Sequence, residues 1–508
     1  MNKAGWLICF LMAVAAFPST AQRIVYSEPE KDDTRRLDFE IVGKVGGNFL
    51  IYKNIRNRNY ISVLNNDMVQ TAKVELDYVP DNDRMINVDF FPYGEFSYMI
   101  YQYQKKNIVY CMVSMIGGNG QKIGGLTQLD TTQIGFSANN RIYTVLTSED
   151  KSKIAIFKIN SKNRKMYMMT SILMDDKLNI LNKNYLGINM EERNDHLSDF
   201  QLDNEGDIVF TKFIRGSNDN ISKAALVVKH AQSDTLMMKD LDIEKKLLDE
   251  IHIKIDNYNK RYFLTSFYYQ ERRGNIEGYY FYVWNKITSQ PVIETTTAFS
   301  EELRRDAKGD ASIKTAFDDY FIKNIITRRD GGFIIGSEAY YTTSRFNSWN
   351  RWNYLYGSPF RSPYTNYYYS PYTNSYWWNS RAGSGGQAMR YHADNITVMS
   401  FDKNGKQEWN NVIGKTQFND ESDDQISYQL MNTGDQLHFL FNQQERRNNL
   451  LSDFSITPEG KMTRNPTLKN LDKGYEFMPM YGKQISSKQM IIPCMYRNYI
   501  CFAKLDYN

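Results

Sequence analysis

The sequence repeats one unit of short apolar segments separated by turn residues, and this repeat constrains the fold more than any other feature. Each unit holds four short segments of strand-forming residues, with Gly, Asn or Asp in the first turn. The units begin near Leu37, Ile86, Gln133, His196, Glu250, Tyr320, Gln425 and Tyr475. A four-stranded unit repeated about every 50 to 60 residues is typical of a propeller blade. The sequence therefore predicts an all-β fold, a β-propeller of about eight four-stranded blades.

The two ends of the chain predict how the ring closes. The last unit, from Tyr475, offers only three strands, whereas Arg23–Ser27 forms an isolated strand before the first unit. Pairing this N-terminal strand with the last blade would supply its fourth strand and remove exposed sheet edges. Seven blades are the alternative count because the first and last units are the weakest. Two β-sandwich domains are the alternative architecture, but no Pro/Gly/Ser-rich linker divides the chain.

Residues 1–21 have the pattern of a cleavable signal peptide. Lys3 precedes twelve consecutive apolar residues, Trp6 to Phe17, and small residues lead to a cleavage site after Ala21. The alternatives are a retained anchor or a lipoprotein, but the apolar stretch is too short to cross about 30 Å of hydrocarbon. We therefore expect an exported protein, in the periplasm or at the cell surface, with residues 22–508 as one propeller domain. No later segment is long and apolar enough to predict a transmembrane helix.

The charge of the chain argues against nucleic acid as a partner. The full sequence has 62 Lys+Arg and 58 Asp+Glu. Removal of the signal peptide takes away one lysine, so the mature net charge is +3. Such a balance lacks the basic excess that nucleic-acid-binding domains carry.

One segment resembles a known family. Ser400 to Trp409 contains Asp402, Gly405 and Trp409, with Gly414 five residues further on. This spacing resembles the repeat of quinoprotein-like propellers, in which the Trp docks one blade against the next, and Thr457 to Lys461 is a weaker copy. The complete pattern occurs once, so the resemblance implies the fold and not a pyrroloquinoline quinone enzyme. In its signal peptide and its Asn/Lys/Tyr-rich composition, the chain is also similar to uncharacterised exported propellers of Bacteroidota.

The sixth unit contains an unusual insertion, residues 341–393. Sixteen aromatic residues lie between Tyr340 and Trp378, and the segment from Ala339 to Ala393 has five Arg, no Lys and no acid. Arg and aromatic side chains suit stacking on a glycan or a protein surface; the alternative is a low-complexity loop that packs on its own propeller. The predicted binding residues are Arg345, Trp349, Arg351, Trp352, Tyr354, Arg361, Tyr364, Tyr372, Trp377 and Trp378.

The insertion lies between the second and third strands of its unit. In propellers these loops share a face with the connectors between blades, here called the loop-bearing face. The second-to-third-strand loops are rich in Lys and Arg, whereas the connectors are rich in Asp and Glu. The alternatives are a field that attracts a ligand and mutual neutralisation by ion pairs.

Metal and cofactor sites have weak sequence support. The five histidines show no metal-ligand spacing. Calcium is the one cofactor considered, because acidic turns occur at 81–83 and 203–207, although neither has the complete loop pattern of a calcium site. The densest acidic patch, Asp420, Glu421, Asp423 and Asp424, is the first candidate cation site.

Three cysteines remain after signal removal: Cys111, Cys494 and Cys501. A final hairpin that turns at Arg497-Asn498 would place Cys494 opposite Cys501, within disulfide range. Export makes their oxidation reasonable, so this disulfide is predicted.

Two functions remain open from the sequence. The first is a non-catalytic propeller that binds an envelope protein or a glycan through the loop-bearing face. The alternative is a hydrolase or lyase that acts on polysaccharide at the channel mouth, where catalytic carboxylates from different blades would leave no local motif.

Overall fold

The structure is a computed structural model. It describes residues 23–30, 37–80, 84–135, 138, 141–163, 165–190, 194–216, 219–308, 317–344, 349–356, 389–420, 422–445, 448–466 and 474–507. The signal peptide predicted at 1–21 lies outside these residues. Within them, antiparallel strands dominate, as the alternation of apolar segments and turns predicts.

The described strands form eight blades in chain order. The N-terminal strand is β1 (Arg23–Tyr26). Blade 1 contains β2 (Leu37–Val45), β3 (Asn48–Ile55), β4 (Arg58–Leu64) and β5 (Gln70–Glu75). Blade 2 contains β6 (Arg84–Tyr93), β7 (Phe96–Lys105), β8 (Ile108–Gly117) and β9 (Lys122–Gln133). Blade 3 contains β10 (Thr144–Thr147), β11 (Lys153–Asn163), β12 (Met166–Asp175) and β13 (Ile180–Asn189).

Blades 4 and 5 are joined into one sheet by the short strand β18. Blade 4 contains β14 (Asp195–Leu202), β15 (Ile208–Arg215), β16 (Ile221–Lys229) and β17 (Leu236–Asp240). Strand β18 (Leu247–Leu248) pairs with β16 and with β20 of blade 5. Blade 5 contains β19 (His252–Asp256), β20 (Arg261–Tyr269), β21 (Gly278–Asn285) and β22 (Gln290–Ala298).

The last three blades include the insertion and both chain ends. Blade 6 contains β23 (Tyr320–Thr327), β24 (Phe333–Ser344), β25 (Met389–Phe401) and β26 (Gln407–Ile413), with β27 (Gln417–Asn419) added beside β25. Blade 7 contains β28 (Tyr428–Asn432), β29 (Leu437–Glu445), β30 (Asn448–Ile456) and β31 (Met462–Arg464). Blade 8 contains β32 (Tyr475–Phe477), β33 (Lys483–Ser486), β34 (Gln489–Tyr496) and β35 (Tyr499–Asp506).

Helical structure is minor in the described ranges. Helix α1 (Glu301–Lys308) lies in the connector between blades 5 and 6, where the Ser300 hydroxyl accepts a hydrogen bond from the Leu303 amide. Helix α2 (Arg351–Tyr356) lies in the insertion, and a 3-10 turn (Pro479–Tyr481) precedes β33. No helix among these residues is long and apolar enough to cross a bilayer.

The hydrophobic core is divided among the interfaces between neighbouring blades. Each of eight buried clusters combines side chains from two successive blades, for example Phe157 of blade 3 with Phe210 of blade 4. The eighth cluster joins Phe502 of blade 8 to Phe49 of blade 1. The described structure is therefore an all-β propeller with eight blades, which agrees with the predicted fold, and it does not have the alternative architecture of two sandwiches.

The predicted pairing of the chain ends is present. Strand β1 pairs antiparallel with β35, from Arg23 opposite Asp506 to Tyr26 opposite Ala503. The Tyr26 ring stacks on Tyr475, 4.4 Å between centroids. Blade 8 thus receives its outermost strand from the N-terminal end of the described chain. This is the pairing that the prediction of ring closure requires.

Local turns match the sequence where Gly or Asn was predicted to reverse the chain. Gly46 and Gly47 connect β2 to β3 with φ of 53° and 83°, a two-residue turn that glycine adopts without strain.

Trp409 of β26 donates from its indole nitrogen to the Pro458 carbonyl of blade 7, at 3.0 Å. This contact docks blade 6 on blade 7, in the manner that the resemblance to quinoprotein-like repeats implies.

Candidate functional site

Strands β24 and β25 extend beyond the sheet of blade 6 and form the base of the insertion. Their pairing shifts register between Glu338 and Tyr340 and then continues to Ser344 opposite Met389. Strand β27 adds a third strand to this extension. Because directly opposed residues of neighbouring strands project to the same face, the register places three rings side by side. Tyr341 lies opposite His392, and His392 lies opposite Phe418.

These three rings and one arginine form a cluster that we call the aromatic platform: Tyr341, Arg390, His392 and Phe418. The rings of Tyr341 and His392 are stacked, with 4.4 Å between centroids and 6° between planes. The centroids of His392 and Phe418 are 6.4 Å apart. The Arg390 guanidinium lies 4.6 Å from the Phe418 centroid, and Phe418 is 52% exposed. The platform thus presents aromatic surface to solvent.

The platform carries no unmatched charge. Arg390 forms a two-pronged ion pair with Asp420, with Nε to Oδ1 at 2.5 Å and Nη2 to Oδ2 at 3.0 Å. Burial lowers the pKa of His392, which favours the neutral imidazole at neutral pH. Its Nε2 lies 3.0 Å from Thr343 Oγ1. Such a surface is suited to stacking against a sugar ring or a partner side chain.

The start of the insertion packs on the propeller. Arg351 and Trp352, both predicted to bind a partner, are each 6% exposed. Arg351 donates from Nη2 to Asp249 Oδ2 at 2.6 Å, and its guanidinium lies 4.1 Å from the Phe321 centroid. The ring of Trp352 packs near Tyr269, 5.3 Å between centroids. These two side chains have the self-packed arrangement that was the alternative for this loop, because their contacts are with Asp249 and with strands of blades 5 and 6.

The remaining predicted loop residues divide between two groups. Trp349 is partly buried beside Tyr340, 6.2 Å between ring centroids. Seven others have side chains outside the described part of the structure: Tyr354, Arg345, Arg361, Tyr364, Tyr372, Trp377 and Trp378. Their predicted binding role stays a prediction.

In the acidic patch predicted as a cation site, the described carboxylates each have a different partner within the protein. Asp420 pairs with Arg390. Asp423 accepts a hydrogen bond from the Tyr340 hydroxyl at 3.3 Å, and Asp424 accepts from Tyr481 at 3.0 Å. Glu421 lies outside the described residues. No group of three or more potential metal ligands occurs among the described residues, so the patch stays a prediction without geometric support.

The acidic turn at 203–207 holds a lysine. Lys286 of blade 5 places its Nζ 2.5 Å from Asp203 Oδ2, 3.0 Å from Glu205 Oε2 and 3.0 Å from Asp207 Oδ2. These carboxylates raise the pKa of Lys286 despite its burial. The carboxylates that were considered as calcium ligands are therefore neutralised by the Lys286 ammonium. This contact also links blade 5 to blade 4. The other acidic turn, 81–83, lies outside the described residues.

The predicted cysteine register is confirmed. Cys494 lies opposite Cys501 and Tyr496 opposite Tyr499, across a turn at Arg497 and Asn498 with φ of 49° and 68°. The two Sγ atoms are 2.9 Å apart and unbonded. The disulfide itself stays a prediction.

None of the four platform residues is among the predicted binding residues, although Tyr341, Arg390 and His392 lie within the insertion 341–393. Phe418 lies outside the insertion. The sequence does show an aromatic ring in each of three segments around the insertion: Tyr341, His392 and Phe418. These rings become neighbours only through a strand pairing with a register shift, which the sequence does not reveal.

Comparisons with known proteins give similarities to solved structures only. No family model matches the chain, and no curated protein matches it. A polysaccharide lyase of family PL25, an ulvan lyase, has a TM-score of 0.36 at 12% identity, over 83% of this chain and 92% of the lyase. Prolyl oligopeptidase B from Galerina marginata has a TM-score of 0.41 at 9% identity, over 91% of this chain and 56% of the peptidase. The dihydro-heme d1 dehydrogenase NirN has a TM-score of 0.33 at 10% identity, over 97% of this chain and 79% of that protein.

These similarities are too distant to indicate a function. The chain spans little more than half the length of the peptidase that it resembles. The assignment of the propeller fold rests on the strand pairing of this chain and not on these similarities.

Proposed function

We propose that this chain is a non-catalytic, exported β-propeller that binds an envelope protein or a glycan through its loop-bearing face, with the aromatic platform as the contact surface. The observation that carries this proposal is the row of Tyr341, His392 and Phe418, in which the first two rings are stacked and half-buried and the Phe418 ring is exposed. Aromatic side chains are enriched at the contact surfaces of proteins because they combine a large apolar area with few rotatable bonds.

The charges on this face favour recognition by contact over long-range attraction. Two arginines of the insertion pair with acids of the connectors, Arg351 with Asp249 and Arg390 with Asp420. Their charges are therefore compensated within the protein, as in the neutralisation alternative. We expect partner binding to depend weakly on ionic strength, because only unmatched charge steers a ligand over distances beyond about 10 Å.

Binding by variants of the mature protein tests this function. The test variant combines Tyr341→Ala with Phe418→Ala, and the matched control is Tyr258→Ala. Tyr258 is 73% exposed in the turn between β19 and β20, on the face opposite the platform. Affinity capture from the native envelope and a glycan array identify ligands of the wild-type protein. Each ligand is then measured by titration with the purified variants.

The expected result is a loss of affinity of about tenfold or more in the platform variant, as for central aromatic contacts, with no change in the control. Equal affinity of the platform variant and the wild-type protein for every ligand would overturn the proposal. Far-UV and near-UV circular dichroism establish that both variants are folded.

A further inference from the structure

A cavity lies among the first strands of the blades. Its volume is about 570 Å³, and its walls come from β2, β6, β10, β14 and β19 and from the 3-10 turn and β33 of blade 8. Phe39, Phe91 and Tyr481 contribute aromatic surface, whereas Glu149 and Asn257 lie at first-to-second-strand turns. The cavity therefore extends toward the face opposite the loop-bearing face and is separate from the aromatic platform. Its size is in the range of small-molecule sites, roughly 300 to 1,000 Å³.

Three of the five charged side chains in the cavity wall have partners within the protein. Asp89 pairs with Arg141 at 3.2 Å. Glu149 accepts a hydrogen bond from Asn257 at 2.7 Å. Lys483 donates to the carbonyls of Ile41 at 2.9 Å and Val42 at 3.2 Å.

The other two charged side chains, Glu40 and Lys254, have no such partner. The Glu40 Oε2 atom is buried without a hydrogen-bond partner, and no basic group among the described residues lies within 4.0 Å of its carboxylate. Lys254 makes no hydrogen bond or ion pair with the described residues. Burial of the unpaired Glu40 Oε2 atom is costly, and such an atom requires an explanation, which a bound ligand would provide. Lys254 is half-buried, so its charge is accessible to the same ligand.

The fold places these two residues on opposite walls. Glu40 belongs to blade 1 and Lys254 to blade 5, which are four blades apart among eight. A molecule that pairs with both must carry a hydrogen-bond-donating cation at one end and an anion at the other. A free α-amino acid holds its ammonium and its carboxylate on the same carbon atom, whereas each residue of a short peptide separates the two termini by up to about 3.3–3.6 Å.

We infer that the cavity binds a short linear peptide by its free termini, with the terminal ammonium on Glu40 and the terminal carboxylate on Lys254. The aromatic side chains in the wall contact the apolar parts of such a peptide. The titration of Glu40 is consistent with this arrangement. Burial raises the pKa of Glu40 to about 7, opposed by the nearby Lys483, so an ammonium that neutralises the carboxylate would displace a proton.

Calorimetric titration with unmodified alanine peptides tests this inference on the mature protein. Alanine, dialanine, trialanine and tetraalanine establish the length that binds best. The best peptide is then compared with its N-acetylated and C-amidated forms on the wild-type protein, Glu40→Gln and Lys254→Met. Glu459→Gln and Lys461→Met, exposed in one turn of blade 7, are the matched controls.

The expected results assign each terminus to its residue. N-acetylation weakens binding to the wild-type protein by about tenfold or more and has little further effect on Glu40→Gln. C-amidation weakens wild-type binding in the same way and has little further effect on Lys254→Met. Both control variants bind like the wild-type protein.

Two results would overturn the inference: no peptide binding at millimolar concentration, or equal binding of capped and uncapped peptides. The platform variant Tyr341→Ala/Phe418→Ala should bind the peptide normally, so the two proposals fail independently. Thermal unfolding of each variant establishes that a loss of binding is not a loss of folding.

Discussion

Arg351 of the insertion and Asp249 of the connector before blade 5 form a buried ion pair, with Nη2 and Oδ2 2.6 Å apart. The same Asp249 oxygen accepts a hydrogen bond from the Tyr269 hydroxyl at 2.9 Å. The residues are 102 positions apart in the sequence, so this pair attaches the start of the insertion to the loop-bearing face.

Replacement of Arg351 by Met should destabilise the protein by about 3–5 kcal/mol. The substitution leaves Asp249 buried without its cation, which costs more than the ion pair contributes. The free energy of unfolding in urea measures this effect. The control is Arg390→Met, whose ion pair with Asp420 is exposed, and little change is expected there. An Arg351→Met protein as stable as the wild type would show that the insertion is not anchored by this pair.

The packing of Arg351 and Trp352 predicts that two deletions in the insertion will differ in their effect on stability. A deletion of 345–390 takes away Arg351 and Trp352, whereas a deletion of 357–388 keeps both. We expect the longer deletion to lower the urea midpoint more than the shorter one, because it removes the buried Arg351 and Trp352. Equal midpoints for the two deletions would contradict the packing of residues 349–356.

The N-terminal strand should contribute to the stability of the whole propeller. Removal of residues 22–30 takes away the partly buried side chains of Ile24 and Tyr26 and uncovers the edge of β35. The loss of this burial is expected to lower the free energy of unfolding by about 2–5 kcal/mol. Differential scanning calorimetry of the shortened and mature proteins measures the change. Unaltered stability would contradict the prediction that this strand closes the ring.

The Cys494 and Cys501 thiols are expected to be oxidised in protein purified from an oxidising compartment. The measurement is a free-thiol count on the unreduced, unfolded mature protein. One free thiol, that of Cys111, supports the disulfide, whereas three free thiols exclude it. Burial raises the pKa of Cys111, so this thiol should react slowly until the protein is unfolded.

Glu40 should make the folded state less stable as the pH rises from about 4.5 to 7. Burial raises its pKa in the folded state to about 7, against 4.5 for the ordinary group. In this interval the folded protein holds more protons than the unfolded chain, so unfolding is favoured as the pH increases. The Glu40→Gln variant lacks this penalty.

The variant should therefore gain about 1–3 kcal/mol over the wild-type protein at pH 8, since one pKa unit corresponds to about 1.4 kcal/mol. At pH 4 the two proteins should be nearly equal, because Glu40 is then protonated in both states. Urea unfolding at the two pH values measures the difference. A variant that is less stable at pH 8 would show that Glu40 is paired in the folded protein.

The fold was more accessible from the sequence than the sites were, for a physical reason. Blades are local: turns such as Gly46-Gly47 and Arg497-Asn498 join adjacent strands, so their residues reveal both the strand boundaries and the register of Cys494 with Cys501. The pairing of β1 with β35 could also be predicted, because an incomplete last blade needs a strand.

The sites depend on contacts between distant segments. Tyr341 and His392 are separated by the insertion and meet only after a register shift in β24 and β25. Lys286 reaches the acidic turn of Asp203 from the neighbouring blade, 83 residues away. Local spacing carries no information about such contacts, which explains why a turn considered for calcium holds an ammonium.

The most direct test of the account is the affinity of a purified partner for the Phe418→Ala variant, measured by titration beside the wild-type protein and Tyr258→Ala. The account predicts that the loss of the exposed Phe418 ring weakens binding by about tenfold. It also predicts that Tyr258→Ala binds normally and that wild-type affinity changes little between low and physiological salt. Normal binding by Phe418→Ala, or an equal loss in Tyr258→Ala, would contradict recognition through the aromatic platform.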